Sequence, residues 1–294
     1  TSIGTGAFYD CNSLTSVTIP EGVTSIGWNA FRECSSLTSV TIPDSVTSIG
    51  EQAFGGCAAL TSVTIPVSVT SIGNGAFADC SSLTNIEVSS ANAQYSSDDG
   101  VLFNKDKTAL VAFPGAKSGH YAIPGSVTSI GIDAFNRCRS LTTVTIPDSV
   151  TTIGRDAFRG SGLTFVLIPA SVTSIGKAAF GACKSLTEIR VSLGNSQYTS
   201  DEGLLFSQDK TILVTCPSGK SGSSLKGWGY NSDYPIPDSL TNIGAYAFLD
   251  CDNLTSVTIP DGVTSIGNYA FSDCSSLTSV TIPYSVTSIG RFAF

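Results

Sequence analysis

The chain has 294 residues, of which 13% are charged, and its formal net charge at pH 7 is -8. An acidic chain with so few charges lacks the clustered Lys and Arg that nucleic acids and anionic membranes attract, so we expect neither partner. No apolar run approaches the roughly 20 residues of a membrane-spanning helix, so we do not expect membrane insertion in this segment.

An Ile-Gly step followed by an Ala-Phe pair recurs along the chain. Ile26 and Ile49 are 23 residues apart, and most neighbouring copies keep this spacing. The Ile residues are Ile3, Ile26, Ile49, Ile72, Ile130, Ile153, Ile175, Ile243, Ile266 and Ile289. Self-similarity at a fixed period of roughly 20–50 residues is the signature of a repeat architecture.

The first part of each repeat reads as a short strand. Leu37, Val40 and Ile42 follow the spacing L-x-x-V-x-I. Side chains two residues apart lie on one face of a strand, so Val40 and Ile42 are predicted to point inward. Ser39 and Thr41 are then predicted to point outward.

The rest of the repeat returns the chain to its starting side. Pro43 ends the strand because it has no N–H to donate, and Val46 and Ile49 begin a second extended leg. Gly50 marks a corner, and the pair Ala53–Phe54 is predicted to fill the interior from a short helical turn. We predict a right-handed solenoid of short parallel strands with short helical turns. Single coils bury too little to fold alone, so they must stack.

Two segments interrupt the repeat, at about residues 89–122 and 192–234, and they resemble one another. The first is predicted to contain a β-hairpin, with strands at Val101–Phe103 and Leu110–Phe113 joined by a polar turn. Apart from these two hairpin inserts, we expect residues 1–294 to form a single solenoid.

Both ends of the sequence lie inside a repeat. Thr1 closely precedes Ile3, Phe294 completes an Ala-Phe pair, and Met is absent from the chain. We therefore expect a segment excised from a longer protein. Uncapped solenoid ends expose sheet edges and interior side chains, which favours end-to-end self-association.

Eight of the nine cysteines occupy one repeat position. They are Cys11, Cys34, Cys57, Cys80, Cys138, Cys183, Cys251 and Cys274. Metal sites need converging ligands at short spacing, and these cysteines have no His partners, so we expect no metal and no cofactor. A ladder of buried thiols is the favoured interpretation; stacked disulfides or a redox role are the alternatives.

The remaining candidates for chemistry are few. His120 is the only histidine, has no nucleophile motif nearby, and is interpreted as a surface-loop residue; we expect no catalytic residue and no enzyme activity. The acidic pairs Asp98–Asp99 and Asp201–Glu202 each precede Gly, which is ordinary turn chemistry. A calcium site is the alternative at these pairs.

The outward face of the strands carries mostly hydroxyl groups. These residues are Ser16, Thr18, Ser39, Thr41, Ser62, Thr64, Thr143, Thr145, Ser256, Thr258, Ser279 and Thr281. Such a face serves solvation alone, or it meets an extended ligand such as a glycan or ice.

The hydroxyl pattern breaks at Phe165 and Leu167, and again one coil later at Glu188 and Arg190. Exposed apolar residues beside charges are typical of recognition surfaces. The alternative is that the following hairpin covers them.

The pattern C-x-x-L-x-x-V-x-I-P-x-x-V-x-x-I-G-x-x-A-F resembles the 23-residue leucine-rich repeats of BspA-like surface proteins. The stretch D-G-V-L-F-N-K-D-K-T in the first insert also resembles the irregular units of that family. The resemblance implies secreted or surface-anchored proteins of host-associated bacteria and some protozoa, linked to adhesion. It implies no catalytic residues.

The resemblance implies an extracellular or cell-surface location and a role in adhesion. With the outward-face residues, it predicts a recognition and adhesion module that binds a host or microbial protein or glycan. The expected contact residues are Phe165, Leu167, Glu188, Arg190, Trp228 and Tyr230. The alternative is a structural spacer or stalk that holds another domain off the cell surface.

Overall fold

The computed structural model describes residues 1–220 and 237–294, whose contacts group the chain into two compact units. The first unit comprises Thr1–Gly119, Pro124–Leu141 and Ile153–Phe158; the second comprises His120–Ile123, Thr142–Thr152 and Arg159–Phe294. Each unit is a solenoid of parallel strands, in which equivalent residues of successive coils pair in register.

The first leg of each coil contains the longer strand. Numbered in chain order, these strands are β2 (Ser16–Thr18), β4 (Ser39–Thr41), β6 (Ser62–Ile65), β8 (Asn85–Val88), β12 (Gly119–Ala122), β14 (Leu141–Thr145), β16 (Phe165–Ile168), β18 (Glu188–Val191), β23 (Ser256–Thr258) and β25 (Ser279–Thr281).

The second leg contains a two-residue strand that ends at the repeated Ile. These strands are β1 (Ser2–Ile3), β3 (Ser25–Ile26), β5 (Ser48–Ile49), β7 (Ser71–Ile72), β13 (Ser129–Ile130), β15 (Thr152–Ile153), β17 (Ser174–Ile175), β22 (Asn242–Ile243), β24 (Ser265–Ile266) and β26 (Ser288–Ile289). The inserts add β9 (Tyr95–Asp98), β10 (Val101–Asn104), β11 (Ala109–Ala112), β19 (Tyr198–Asp201), β20 (Leu204–Ser207) and β21 (Ile212–Thr215).

The predicted alternation of the longer strand is confirmed in β4. Val40 and Ile42 are buried, whereas Ser39 and Thr41 are exposed. β4 pairs in parallel with β2, with Val17 opposite Val40. The interior is therefore shared by stacked coils, as the spacing predicts.

The predicted short helical turn is wrong, and residues 1–220 and 237–294 contain no helix. Gln52 and Gly56, which lie on either side of Ala53–Gly55, have positive φ angles of 54° and 76°. An α-helix needs consecutive right-handed residues, so these left-handed positions break it. The N–H of Phe54 instead donates to the carbonyl of Ala76, one coil on, at 2.9 Å.

Aromatic rings of successive coils stack on one another in the interior of the first unit. The ring of Phe54 lies between Phe31, 5.3 Å away, and Phe77, 5.7 Å away, and the three rings are nearly parallel. Gly50 allows this close stacking of coils, because a Cβ atom there would lie 2.6 Å from the carbonyl carbon of Gly27.

The repeated cysteines form hydrogen bonds between coils. The thiol of Cys57 donates to the carbonyl of Phe31 at 3.1 Å, and that of Cys80 donates to Phe54 at 3.2 Å. All nine cysteines are free thiols, and most are buried as predicted, although Cys11 is exposed. The cysteine position therefore supplies a donor to an interior carbonyl as well as apolar volume.

The first insert is a three-stranded antiparallel meander, β9-β10-β11, that belongs to the interior. The predicted hairpin strands correspond to β10 and β11. β11 also pairs in parallel with β13, placing Leu110 opposite Ile130. Leu110 and Phe103 are fully buried. Part of the insert is therefore an irregular coil, which takes the place of a regular one.

A buried asparagine and a tyrosine join the meander to the coil before it. The side-chain amide of Asn92 donates to the carbonyls of Pro66 and Val69, and its oxygen accepts from the N–H groups of residues 94 and 95. The hydroxyl of Tyr95 accepts a hydrogen bond from the N–H of Ile72 at 2.8 Å. Asn195 and Tyr198 repeat this arrangement in the second meander.

The acidic pairs lie at the β9-β10 and β19-β20 turns, and three of their four carboxylates bind lysines. Asp98 pairs with Lys107 at 2.7 Å, and Asp99 pairs with Lys117 at 2.8 Å. The hydrogen bond from Lys107 lowers the pKa of Asp98 below its ordinary value. Asp201 pairs with a lysine in the same way. These carboxylates therefore fasten the meander.

Candidate functional site

The most distinctive surface lies on a four-stranded parallel sheet with the order β12-β14-β16-β18. Thr143 pairs with Phe165, which pairs in turn with Glu188, while Leu167 pairs with Arg190. These residues belong to the second unit. The register thus brings together four of the six residues that the sequence predicted as ligand contacts.

The pleat of these strands decides which side chains face outward. Val144, Val166 and Ile189 are buried in the interior. Their neighbours in sequence therefore project from the opposite face. The repeated apolar residue determines which face of the strand packs in the interior. The residues on the outward face do not pack there, so their type can vary between coils.

Leu167 and Phe165 form the apolar centre of this surface. The side chain of Leu167 is 46% exposed, and Phe165 is half-buried. The described strands of the hairpin that follows bond along the edge of β18, where the N–H of Ile189 donates to the carbonyl of Gly203 at 2.9 Å. Within residues 1–220 and 237–294, Leu167 stays exposed, which argues against the alternative of a covered patch.

Arg190 and Glu188 form a fixed charged pair beside the apolar centre. The Nε of Arg190 donates to Oε1 of Glu188 at 2.7 Å. The guanidinium carbon of Arg190 also lies 5.5 Å from the ring centroid of Phe165, a cation–π contact. Exposed ion pairs contribute only about 0–1 kcal/mol to stability. The main effect of the pair is to hold the arginine in one place.

His120 belongs to the same surface, which the sequence interpretation missed. It lies in strand β12 rather than in a loop, and its side chain is exposed. Its Nδ1 is 3.0 Å from the hydroxyl of Thr143, and its Nε2 is 3.4 Å from that of Thr145. The signal was available, because His120 precedes Thr143 by 23 residues, one repeat period.

The outward strand residues form two surfaces of different composition. The mixed face consists of His120, Thr143, Thr145, Phe165, Leu167, Glu188 and Arg190. The hydroxyl face, in the first unit, consists of Ser16, Thr18, Ser39, Thr41, Ser62 and Thr64. Trp228 and Tyr230, the other two predicted contacts, lie outside the described residues.

The mixed face offers apolar contact, hydrogen bonding and one oriented cation. Within residues 1–220 and 237–294, no group of three or more His, Cys, Asp or Glu side chains is placed to hold a metal ion. No helix in the same ranges has the length and apolar character needed to cross a membrane.

The sequence matches the family described as the BspA type leucine-rich repeat region, in six copies that cover residues 1–104, 108–218 and 230–294. No curated protein matches the chain.

Solved structures of bacterial proteins share the fold. A leucine-rich repeat protein of Eubacterium ventriosum is 27% identical with a TM-score of 0.54, and the match covers 96% of this chain and 82% of that one. A leucine-rich cell surface protein of Faecalibacterium prausnitzii is 31% identical with a TM-score of 0.56, and the match covers 95% of this chain and 72% of that one. With its repeats, its stacked coils and these matches, the chain belongs to the BspA type leucine-rich repeat family.

Proposed function

We propose that the chain is a non-enzymatic recognition module, secreted or displayed on a cell surface, whose mixed face binds another macromolecule. The observation that carries the proposal is the exposed Leu167, which stands with Phe165 where other coils carry hydroxyl residues. The description of the Faecalibacterium prausnitzii relative as a cell surface protein supports the location.

Folding gives no reason for an apolar residue at this position. The outward residues of β4 are Ser39 and Thr41, and that strand packs its interior in the same way as β16. Exposed apolar side chains forgo roughly 25 cal/mol for each Å² left in water. A partner that covers Leu167 recovers this free energy, which is how apolar anchors act in interfaces.

A structural spacer is the second candidate, and the hydroxyl face favours it. Its three strands repeat Ser and Thr without variation and present no apolar anchor. A surface of that kind keeps a repeated strand soluble. On this account the chain holds another domain at a distance and binds nothing itself.

The double substitution Phe165→Ser with Leu167→Thr separates the two candidates. We expect the wild-type chain to bind members of an array of matrix proteins and glycans, and the variant to bind them at least about tenfold more weakly, since apolar anchors contribute 2 kcal/mol or more. The matched control, Ser39→Ala with Thr41→Ala on the hydroxyl face, should bind as the wild type does. Equal binding by both variants contradicts the proposal, and absence of binding by the wild type favours the spacer.

A further inference from the structure

We propose that the mixed face takes an extended protein segment in which a carboxylate lies beside an apolar side chain. The carboxylate binds Arg190, and the apolar side chain packs on Leu167. This inference rests on the proposed function and names the chemistry of the partner.

The guanidinium of Arg190 is oriented so that it can bind a carboxylate. Its Nε donates to Glu188, and its guanidinium carbon lies over the Phe165 ring, 5.5 Å from the centroid. Within residues 1–220 and 237–294, its Nη1 and Nη2 groups make no hydrogen bond, and the side chain is 63% exposed. The Nη1 and Nη2 amino groups, which have no partner among the described residues, can donate two parallel hydrogen bonds to the two oxygens of a carboxylate.

The apolar contact lies directly beside this cation. Leu167 and Arg190 are register partners on neighbouring strands, which places their Cα atoms about 4.8 Å apart. A ligand carboxylate on Arg190 therefore brings the adjoining ligand residue over Leu167. The ligand residue that lies over Leu167 must be apolar. The partner is therefore recognised by an acidic side chain and a neighbouring apolar side chain, not by charge alone.

The size of the face fits a short extended segment. Four strands span three intervals of about 4.8 Å, or roughly 14 Å, which equals about four residues of extended chain. At the far side of the face, His120 and Thr143 supply polar groups that can bond to a peptide backbone. A segment crossing the strands thus meets polar groups first, then Leu167, then Arg190.

A protein segment fits this surface better than a glycan does. A sugar that packs on an aromatic ring would have to compete with the Arg190 guanidinium, which lies over the Phe165 ring. Leu167 offers an aliphatic surface that suits an aliphatic or aromatic side chain.

The test uses an array of end-blocked hexapeptides in which Leu-Asp or Leu-Glu is placed in a Ser/Gly background. Each peptide is paired with its Leu-Asn or Leu-Gln analogue. We expect the full chain to bind the acidic peptides at least about tenfold more strongly than the amide analogues. The variant Arg190→Lys keeps the charge but loses the paired donors, so it should erase most of this preference. Arg139→Lys, an exposed arginine outside the mixed face, is the matched control.

Several outcomes overturn the inference. Equal binding of acidic and amide peptides does so, as does an unchanged preference in Arg190→Lys. If an array partner is lost on Phe165→Ser with Leu167→Thr but not on Arg190→Lys, the proposed function stands and this inference fails. Binding restricted to glycans carrying carboxylates likewise refutes the protein segment while preserving recognition by the face.

Discussion

The hydroxyl face and the mixed face are built on the same strand but carry different chemistry. In β4 and β16 alike, the inward residues Val40 and Val166 are buried in a shared interior. The outward residues are Ser and Thr in the first case and Phe and Leu in the second. The interior positions thus maintain the coil, and the outward positions are free to differ. We therefore expect a partner to bind where the outward residues of a strand differ from those at the same positions in other coils.

The largest expected effect lies in the interior, where the two units should respond alike. Phe54 in the first unit and Phe248 in the second are fully buried, and each stacks on a neighbouring ring. We expect Phe54→Ala and Phe248→Ala each to lower the free energy of unfolding by about 3–5 kcal/mol through lost burial and a cavity. Urea denaturation measures this. If only one of the two substitutions lowered the free energy of unfolding by less than about 1 kcal/mol, the interiors of the two units would not be equivalent.

The two meanders should also respond alike, with a somewhat smaller effect. Asn92→Ala and Asn195→Ala each leave buried backbone groups without partners. Each such group costs about 1–3 kcal/mol, so we expect a loss of roughly 2–4 kcal/mol, seen in thermal or urea denaturation. The control Asn12→Ala removes an exposed asparagine and should change stability little. A small effect at Asn92 would show that the meander is not needed to hold the coil before it.

A pH effect should distinguish the units, because a buried carboxyl at Asp133 corresponds to Tyr246 in the second unit. Burial raises the pKa of Asp133 above its ordinary value, although Asn136 and Gln52 donate hydrogen bonds to it. With the folded pKa raised, its contribution is most favourable below the ordinary pKa and is lost as pH rises through the raised value.

We therefore expect Asp133→Asn to lessen the fall in stability as the pH rises from about 4 towards 7, because the variant removes the carboxyl whose ionisation burial disfavours. Denaturation midpoints across this pH range provide the measurement. The exposed Asp148→Asn is the control. If the two variants show the same pH profile, burial of Asp133 does not govern its titration.

The smallest effect on stability is expected on the outward faces. Leu167→Thr on the mixed face and Thr41→Leu on the hydroxyl face should each change the free energy of unfolding by no more than about 0.5 kcal/mol. Calorimetry or urea denaturation detects larger shifts. A loss of 2 kcal/mol in Leu167→Thr would mean that Leu167 stabilises the fold, and the contrast between the faces would then lose its functional meaning.

The sequence predicted the strands and their faces because each interior strand position carries an aliphatic residue, Val, Ile or Leu, in the regular coils. It did not predict the left-handed backbone positions that stand in place of the expected helical turn. Equivalents of Gln52 in other coils include Asn29, Gly75, Asp133 and Tyr246, all with positive φ, so no single residue type marks the left-handed position.

Part of the candidate site was predictable for the same reason. Phe165, Leu167, Glu188 and Arg190 lie at fixed offsets within regular coils, so their meeting follows from register. His120 was not predicted because it lies within the insert at about residues 89–122, where the repeat pattern is absent. Its place on the mixed face depends on the pairing of β12 with β14. Trp228 and Tyr230 stay predictions.

The hydrogen-bonded thiols between coils also affect the resistance of this chain to oxidation. Burial raises the pKa of Cys183 to about 11 and that of Cys80 to about 12. At neutral pH, roughly one in ten thousand such thiols, or fewer, is ionised. Disulfide exchange and oxidation need the thiolate. In the folded chain, burial and a very low ionised fraction therefore protect these thiols from both reactions.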